Sequence, residues 1–446
     1  MQSRETTKHA SRVERLSKAQ RLFSAHTRFS YRHLLLFGLC AALFFWSMFY
    51  RGSNAIIAVQ LQKDLSLTPE KLGMLSASFF YAFAFTQVPI AFLLDRLGAR
   101  LIMTALTLVG SLGAVIFGLA AEFNGALIGR TLLGFGMAAN FMGGLKLFTQ
   151  WFSPREFATI AGLLAGAGTI GSIAASTPLA LLVDRVGWRP SFIAIGVITA
   201  ALAVFFHAAV RERPYPAEGF SGEVTGTIRR TSAVADLKTL FLNRDYWLIS
   251  CGTFFRYGTL MAIQGLWAGP YLMQCFKLSP VQAGNIITLT TIGYIAGCSG
   301  GGWLSDRVLR SRKYVVILGL AGMAATNMCL AWSLGQNKPM FQAFTFFSLG
   351  LFAGMGNVVY AHIKGIMPPE ISGMALTGIN FFTMLGVGAY IHLMGWALKC
   401  LPLEKQTGLE GYETAFSPAF IGLAAATLLY FFTRESKEFS NVREKA

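Results

Sequence analysis

Acidic residues are missing from the places where this chain is most apolar: all 21 Asp and Glu fall in tails and turns. Charge of either sign is scarce. Only 13% of the 446 residues are Asp, Glu, Lys or Arg, against 54% that are hydrophobic, whereas a soluble globule carries about a quarter charged residues. A water-soluble fold is excluded, and the solvent is a bilayer. Cysteine offers no framework either. Cys40, Cys251, Cys275, Cys298, Cys329 and Cys400 are scattered without a Cys-x-x-Cys spacing, so neither a disulfide scaffold nor a zinc site is expected. The chain has no Gly-x-x-x-x-Gly-Lys loop, no His-Glu-x-x-His and no polar segment large enough to hydrolyse ATP, so an enzyme, a cofactor and a metal are all unexpected.

What is present is a series of apolar runs long enough to cross roughly 30 Å of hydrocarbon. They fall at about 34–61, 72–94, 101–121, 125–147, 157–182, 190–210, 246–273, 280–303, 314–335, 340–361, 372–398 and 415–433. The pattern predicts an all-α membrane protein with twelve transmembrane helices in two pseudo-symmetric six-helix bundles, 34–210 and 246–433. A basic tail (1–33) precedes them, a polar linker (211–245) joins them and a short tail (434–446) follows. The formal charge of +17 first suggests nucleic acid, but the basic residues sit in turns and tails, mostly on one side. That placement points to lipid headgroups and puts both termini in the cytoplasm by the positive-inside rule. The tail, with Arg4, Lys8, Arg12, Arg15, Lys18, Arg21, Arg28 and Arg32, reads either as a basic amphipathic helix on anionic lipid or as a disordered anchor.

Two turns repeat. Leu94-Asp95-Arg96-Leu97-Gly98-Ala99-Arg100 follows the second span, and Gly302-Trp303-Leu304-Ser305-Asp306-Arg307 follows the eighth, which implies a duplication. These turns resemble the Gly-x-Leu-x-Asp-Arg-x-Gly-Arg-Arg pattern of the major facilitator superfamily, and the resemblance covers nearly the whole chain beyond the tail. Ala91 stands in place of the pattern's first glycine, and Leu309 replaces the second glycine in the later copy. Arg130, Gly134 and Gly136 in span four are similar to the family as well, and Gly350, Gly354 and Gly356 echo them in span ten. The resemblance implies a monomeric transporter in a bacterial inner membrane, with the Asp-Arg turns acting as latches: a carboxylate holds a neighbouring helix N-terminus or arginine in one conformation and releases it in the other.

The polar groups at membrane depth must supply the chemistry. Arg51, Arg130, Lys146 and Arg256 enter the spans with no acidic partner there, so the cavity is expected to be electropositive. Arg51 in span one is the best candidate ligand, because its guanidinium fork suits a carboxylate or phosphate, and Tyr50 beside it is a candidate substrate contact. Arg256, in span seven, reads as a second ligand or a gate. The arrangement is similar to the organophosphate:phosphate antiporter branch, which pairs an arginine of span one with one of span seven. Arg51 matches that pattern, whereas Arg256 is displaced by more than a turn from the branch's span-seven arginine, which sits closer to the tryptophan that is Trp267 here. Other positions differ too: Gln87 stands for a lysine, Gly168 for a histidine and Thr291 for an acid. Tyr81, Gln87, Asn140, Gln264, Trp267, Tyr294, Asn357, Tyr360 and Asn380 are candidate cavity residues, and each reads equally as a contact between helices. His392 is a candidate for proton coupling. The expectation is a secondary active transporter of a small organic anion working by alternating access, driven by exchange or by a proton gradient. An exporter of hydrophobic compounds and a non-transporting receptor with the same fold are the alternatives.

Overall fold

The computed structural model describes residues 31–212, 238–332 and 339–436. The readings of the basic tail (1–30), the body of the linker (213–237) and the last residues (437–446) fall outside the described residues. Lipid offers no hydrogen bonds, so each crossing has to satisfy its own backbone, and the described residues accordingly form helices and no strand. The helices follow one another as twelve spans in two sets of six. Among the described residues six helices are individually long and apolar enough to cross a membrane, seven if a bent pair counts as one. Several of the others are interrupted.

Those interruptions mark the interior. Span one is Tyr31–Gly52 followed by Asn54–Asp64, and span four is Phe123–Met137 followed by Asn140–Trp151. Span five, Pro154–Ala174 and Thr177–Val186, bends by 42° at its break. Span seven passes through a π-helical turn, Ile263–Trp267, and span ten through a 3-10 turn, Gly356–Val358. Irregular backbone at membrane depth is tolerated only where protein or a water-filled cavity surrounds it. The breaks therefore point to where a site can lie.

The halves meet through spans one and seven, two and eleven, and five and eight. At the end remote from the termini the contacts are close. A side chain on Gly269 would overlap the Ala55 carbonyl, which glycine alone allows. Thr177 donates to Asn285 at 2.7 Å, Gln274 reaches Gln62 at 3.4 Å, and Lys399 pairs with Glu70. The described polar contacts between the halves all lie at mid-depth or on this far side, so the bundle is fastened there.

Candidate functional site

An interrupted helix frees carbonyl groups, and side chains from other spans take them up. At the break in span one, the Tyr50 carbonyl accepts from Ser53 Oγ (3.1 Å) and from Nη1 of Arg130 (3.1 Å). At the break in span four, Ser47 donates to the Met137 carbonyl and Gln87 Nε2 to that of Ala138, each at 3.1 Å. In span ten, Arg256 Nη1 donates to the Ala353 carbonyl at 2.6 Å. The structure thereby moves several sequence candidates away from the cavity. Gln87 and Asn140, the latter bonded to Thr107 and the Leu43 carbonyl, sit inside the first bundle. Tyr50 turns to Thr199 at 3.2 Å in the same bundle. Trp267 donates to the Ile391 carbonyl at 3.1 Å, tying span seven to span eleven, and Tyr81 packs on Gly388 between spans two and eleven. His392 is half-buried on span eleven, about two turns from Lys399.

Arg51 faces the other half. It is 7% exposed, stacks over the Phe83 ring at 4.7 Å, and its Nη1 reaches the Tyr257 hydroxyl at 3.4 Å across the interface. Its Nε is buried with no partner. Gln264, Ser172, Ser176 and Met261 line a small cavity with it, and Gln264 donates to Thr291 at 2.7 Å. Arg256 is 1% exposed, lies against Gly356, and leaves Nε and Nη2 buried without partners. Tyr294 and Tyr360, both half-buried, lie within electrostatic range of Arg256, and Tyr360 is within range of Arg51 as well. Asn357 donates to the Cys298 sulfur at 3.7 Å beside them. The structure thus brings Arg51, Arg256, Gln264, Tyr294, Asn357 and Tyr360 together, and adds Tyr257 and Phe83, which the sequence reading passed over. Neither arginine forms an ion pair with a described carboxylate.

The charged turns hold the following helix through groups besides the Asp-Arg pair. Gly98 has φ +84°, a conformation open to glycine, and starts span three, Ala99–Leu119. Arg100 donates through Nε to the His207 carbonyl at 2.8 Å, and its backbone N–H is accepted by Glu212 at 2.8 Å. Arg96 is exposed and stacks on Phe92 of its own helix at 4.1 Å. Lys146 reaches the Leu94 carbonyl of this turn. The Asp95 side chain lies outside the described residues. In the second copy, Asp306 and Arg307 are exposed on a π-helical turn and Gly302 faces open space. There, Glu435 accepts from the Ser311 hydroxyl and from the backbone N–H groups of Arg312 and Lys313. A carboxylate following the last span of each half therefore caps the third helix of that half, where the helix dipole favours negative charge.

A further copy of the turn lies on the far side. Asp184-Arg185-Val186-Gly187-Trp188-Arg189 repeats Asp95-Arg96-Leu97-Gly98-Ala99-Arg100, and Gly187 also has φ +84°. Arg189 binds the Ala120 carbonyl at the end of span three, just as Arg100 binds the His207 carbonyl at the end of span six. The first half is thus an inverted repeat of three spans. Matching Asp-Arg-x-Gly-x-Arg letters within the half were the available signal.

Comparison with known proteins agrees with this geometry. The family model described as Major Facilitator Superfamily matches residues 35–264 and 249–445. A probable sulfoacetate transporter of Cupriavidus necator is 22% identical over 417 residues, covering 90% of this chain and 94% of its own. A probable L-galactonate transporter of Escherichia coli is 28% identical over 293 residues, covering 62% and 64%. Among solved structures, an inward-facing, unoccupied bacterial homologue of the human lysosomal transporter Spinster superposes with a TM-score of 0.74 at 16% identity, over 91% of this chain and 98% of that one. With the family model spanning both halves, the chain is an integral membrane protein that belongs to the Major Facilitator Superfamily, a transporter and not an enzyme.

Proposed function

We propose that the chain is a secondary transporter that moves a small organic anion by alternating access, with Arg51 as the principal ligand of the anion. The observation that carries this reading is a guanidinium 7% exposed at mid-depth, at the break of span one, with an unpartnered Nε and no described carboxylate to neutralise it. A cation so placed is stable only if an anion or water meets it. Relatives support the class by name: they are a probable sulfoacetate transporter, a probable L-galactonate transporter, a hexuronate transporter and a probable galactarate or D-glucarate transporter. The positive-inside rule places the termini in the cytoplasm, so the fastened far side is the external one and this conformation faces inward. Without a carboxylate at depth, coupling runs by anion exchange, or by protons carried on the substrate or on His392.

Uptake into proteoliposomes tests the proposal. Loss of a charge-assisted hydrogen bond costs about 1.5–3 kcal/mol, or about 10–150-fold in affinity. Arg51→Ala is expected to lose anion uptake by at least that factor, and Arg51→Lys to retain part of it. Wild-type uptake in both variants, or a melting temperature raised only by cations and neutral compounds, would sink the anion reading.

A further inference from the structure

We propose that the substrate is a dianion, with one acidic group on Arg51 and a second on Arg256, so that one ligand neutralises a buried cation of each half. The proposal rests on the anion reading above and adds its charge and shape. Arg256 spends only Nη1 on the Ala353 carbonyl, and its Nε and Nη2 are buried without partners. A guanidinium in that state retains an uncompensated charge. Around it stand neutral donors, the hydroxyls of Tyr294 and Tyr360 and the Asn357 amide, and no described carboxylate pairs with it. Tyr257 joins the two cations, since it follows Arg256 in the chain and its hydroxyl meets Arg51 at 3.4 Å. A monoanion held by Arg51 would leave Arg256 charged and buried. A ligand with two separated acidic groups compensates both and draws the halves together at the same time, which couples occupancy to closure.

The test is affinity for probe pairs matched in size and differing by one charge: succinate against succinamate, and glucarate against gluconate, read by thermal shift and by competition in proteoliposomes. The purified wild-type protein is expected to prefer the dianion of at least one pair by about tenfold or more. Arg256→Gln, which keeps a donor for the Ala353 carbonyl, is expected to reduce that preference to about twofold while monoanion binding persists. Arg256→Lys, which keeps the charge, is expected to preserve the preference. Equal affinity within both pairs, with binding still lost in Arg51→Ala, would overturn the dianion and leave the anion reading standing. Probe binding that ignores Arg51 would overturn both, and a response to the monoanions with none to either dianion would overturn the dianion alone. The wild-type ratio needs no variant to fold.

Discussion

Each half of the molecule holds an interrupted helix with a buried arginine, but the two arginines come from opposite members of the helix pair. In the first half the arginine is on span four, and Arg130 reaches back to the Tyr50 carbonyl of span one. In the second it is on span seven, the counterpart of span one, and Arg256 reaches forward to the Ala353 carbonyl of span ten. The exchange has a functional consequence. On the proposed reading, holding the break and facing the substrate are divided in the first half between two residues: Arg130, with no exposed surface, and Arg51, one position beyond the carbonyl that Arg130 holds. On the same reading Arg256 does both in the second half. A guanidinium released from structural duty can offer its whole fork to a ligand, and one tied to a carbonyl can offer only what is left.

The largest effect that separates these roles should come from Arg130→Met. Arg130 is wholly buried against Phe79 and Phe117 with two nitrogens unpartnered, and a buried cation without a counter-ion carries a desolvation penalty that an apolar side chain of similar volume avoids. The variant is therefore expected to melt no lower than wild type. Its transport should nevertheless fall by at least about tenfold, with the loss in KM, because the Tyr50 carbonyl would keep only Ser53 and Arg51 would lose its fixed position. Wild-type KM in a folded Arg130→Met would show that holding and binding are not divided in this way.

The architecture was legible in the sequence because the bilayer constrains composition over whole segments. Apolar runs, the sparse charge and the paired turns each carry the fold independently, and the glycines of span ten lie where expected, with Gly350 against the Thr290 carbonyl and Gly354 against that of Tyr294. The proposed site draws on Arg51 and Arg256, and a buried cation without an acid in its span stands out in the letters alone. Gln87, Asn140 and Tyr50 were not legible in this way, for a physical reason. Each binds a carbonyl or hydroxyl on a different span, and the breaks at Gly52–Ser53 and at Ala138–Ala139 have no proline to announce them. A polar residue in an apolar run looks the same whether it serves a ligand or a freed carbonyl. The turn at Asp184 is plain in the letters, but comparing half with half passes over a repeat that lies within one half.

That inner repeat allows a finer comparison at smaller cost. Gly98 and Gly187 share φ +84° with ψ 153° and 162°, a region essentially restricted to glycine, so an alanine at either costs about 1–3 kcal/mol. Their surroundings differ. A side chain at Gly98 would strike the Glu212 carboxylate that caps span three, whereas the first atom near Gly187 is 3.8 Å away on Pro190. Gly98→Ala is expected to lower the melting temperature more than Gly187→Ala, the excess disappearing in Glu212→Ala. Equal shifts would mean that the cap contributes nothing measurable.

The smallest effect concerns the two capping carboxylates themselves. Glu212 accepts the backbone N–H of Arg100. Glu435 accepts the Ser311 hydroxyl and the N–H groups of Arg312, Lys313 and Ser436. Burial alone would raise the Glu435 carboxyl, but the bonds from Ser311, Ser436 and Lys313 outweigh it and hold the group below its ordinary value of 4.5. Because the folded state binds this proton more weakly than the unfolded chain, the contribution is present in full above pH 4.5 and is lost as the pH falls below it. Glu435→Gln is expected to lower the melting temperature at pH 7 more than Glu212→Gln does, and to flatten the decline of melting temperature below that pH. If the acid decline of wild type persisted unchanged in Glu435→Gln, the titrating carboxylate would lie elsewhere, and the second half's cap would count as packing without charge.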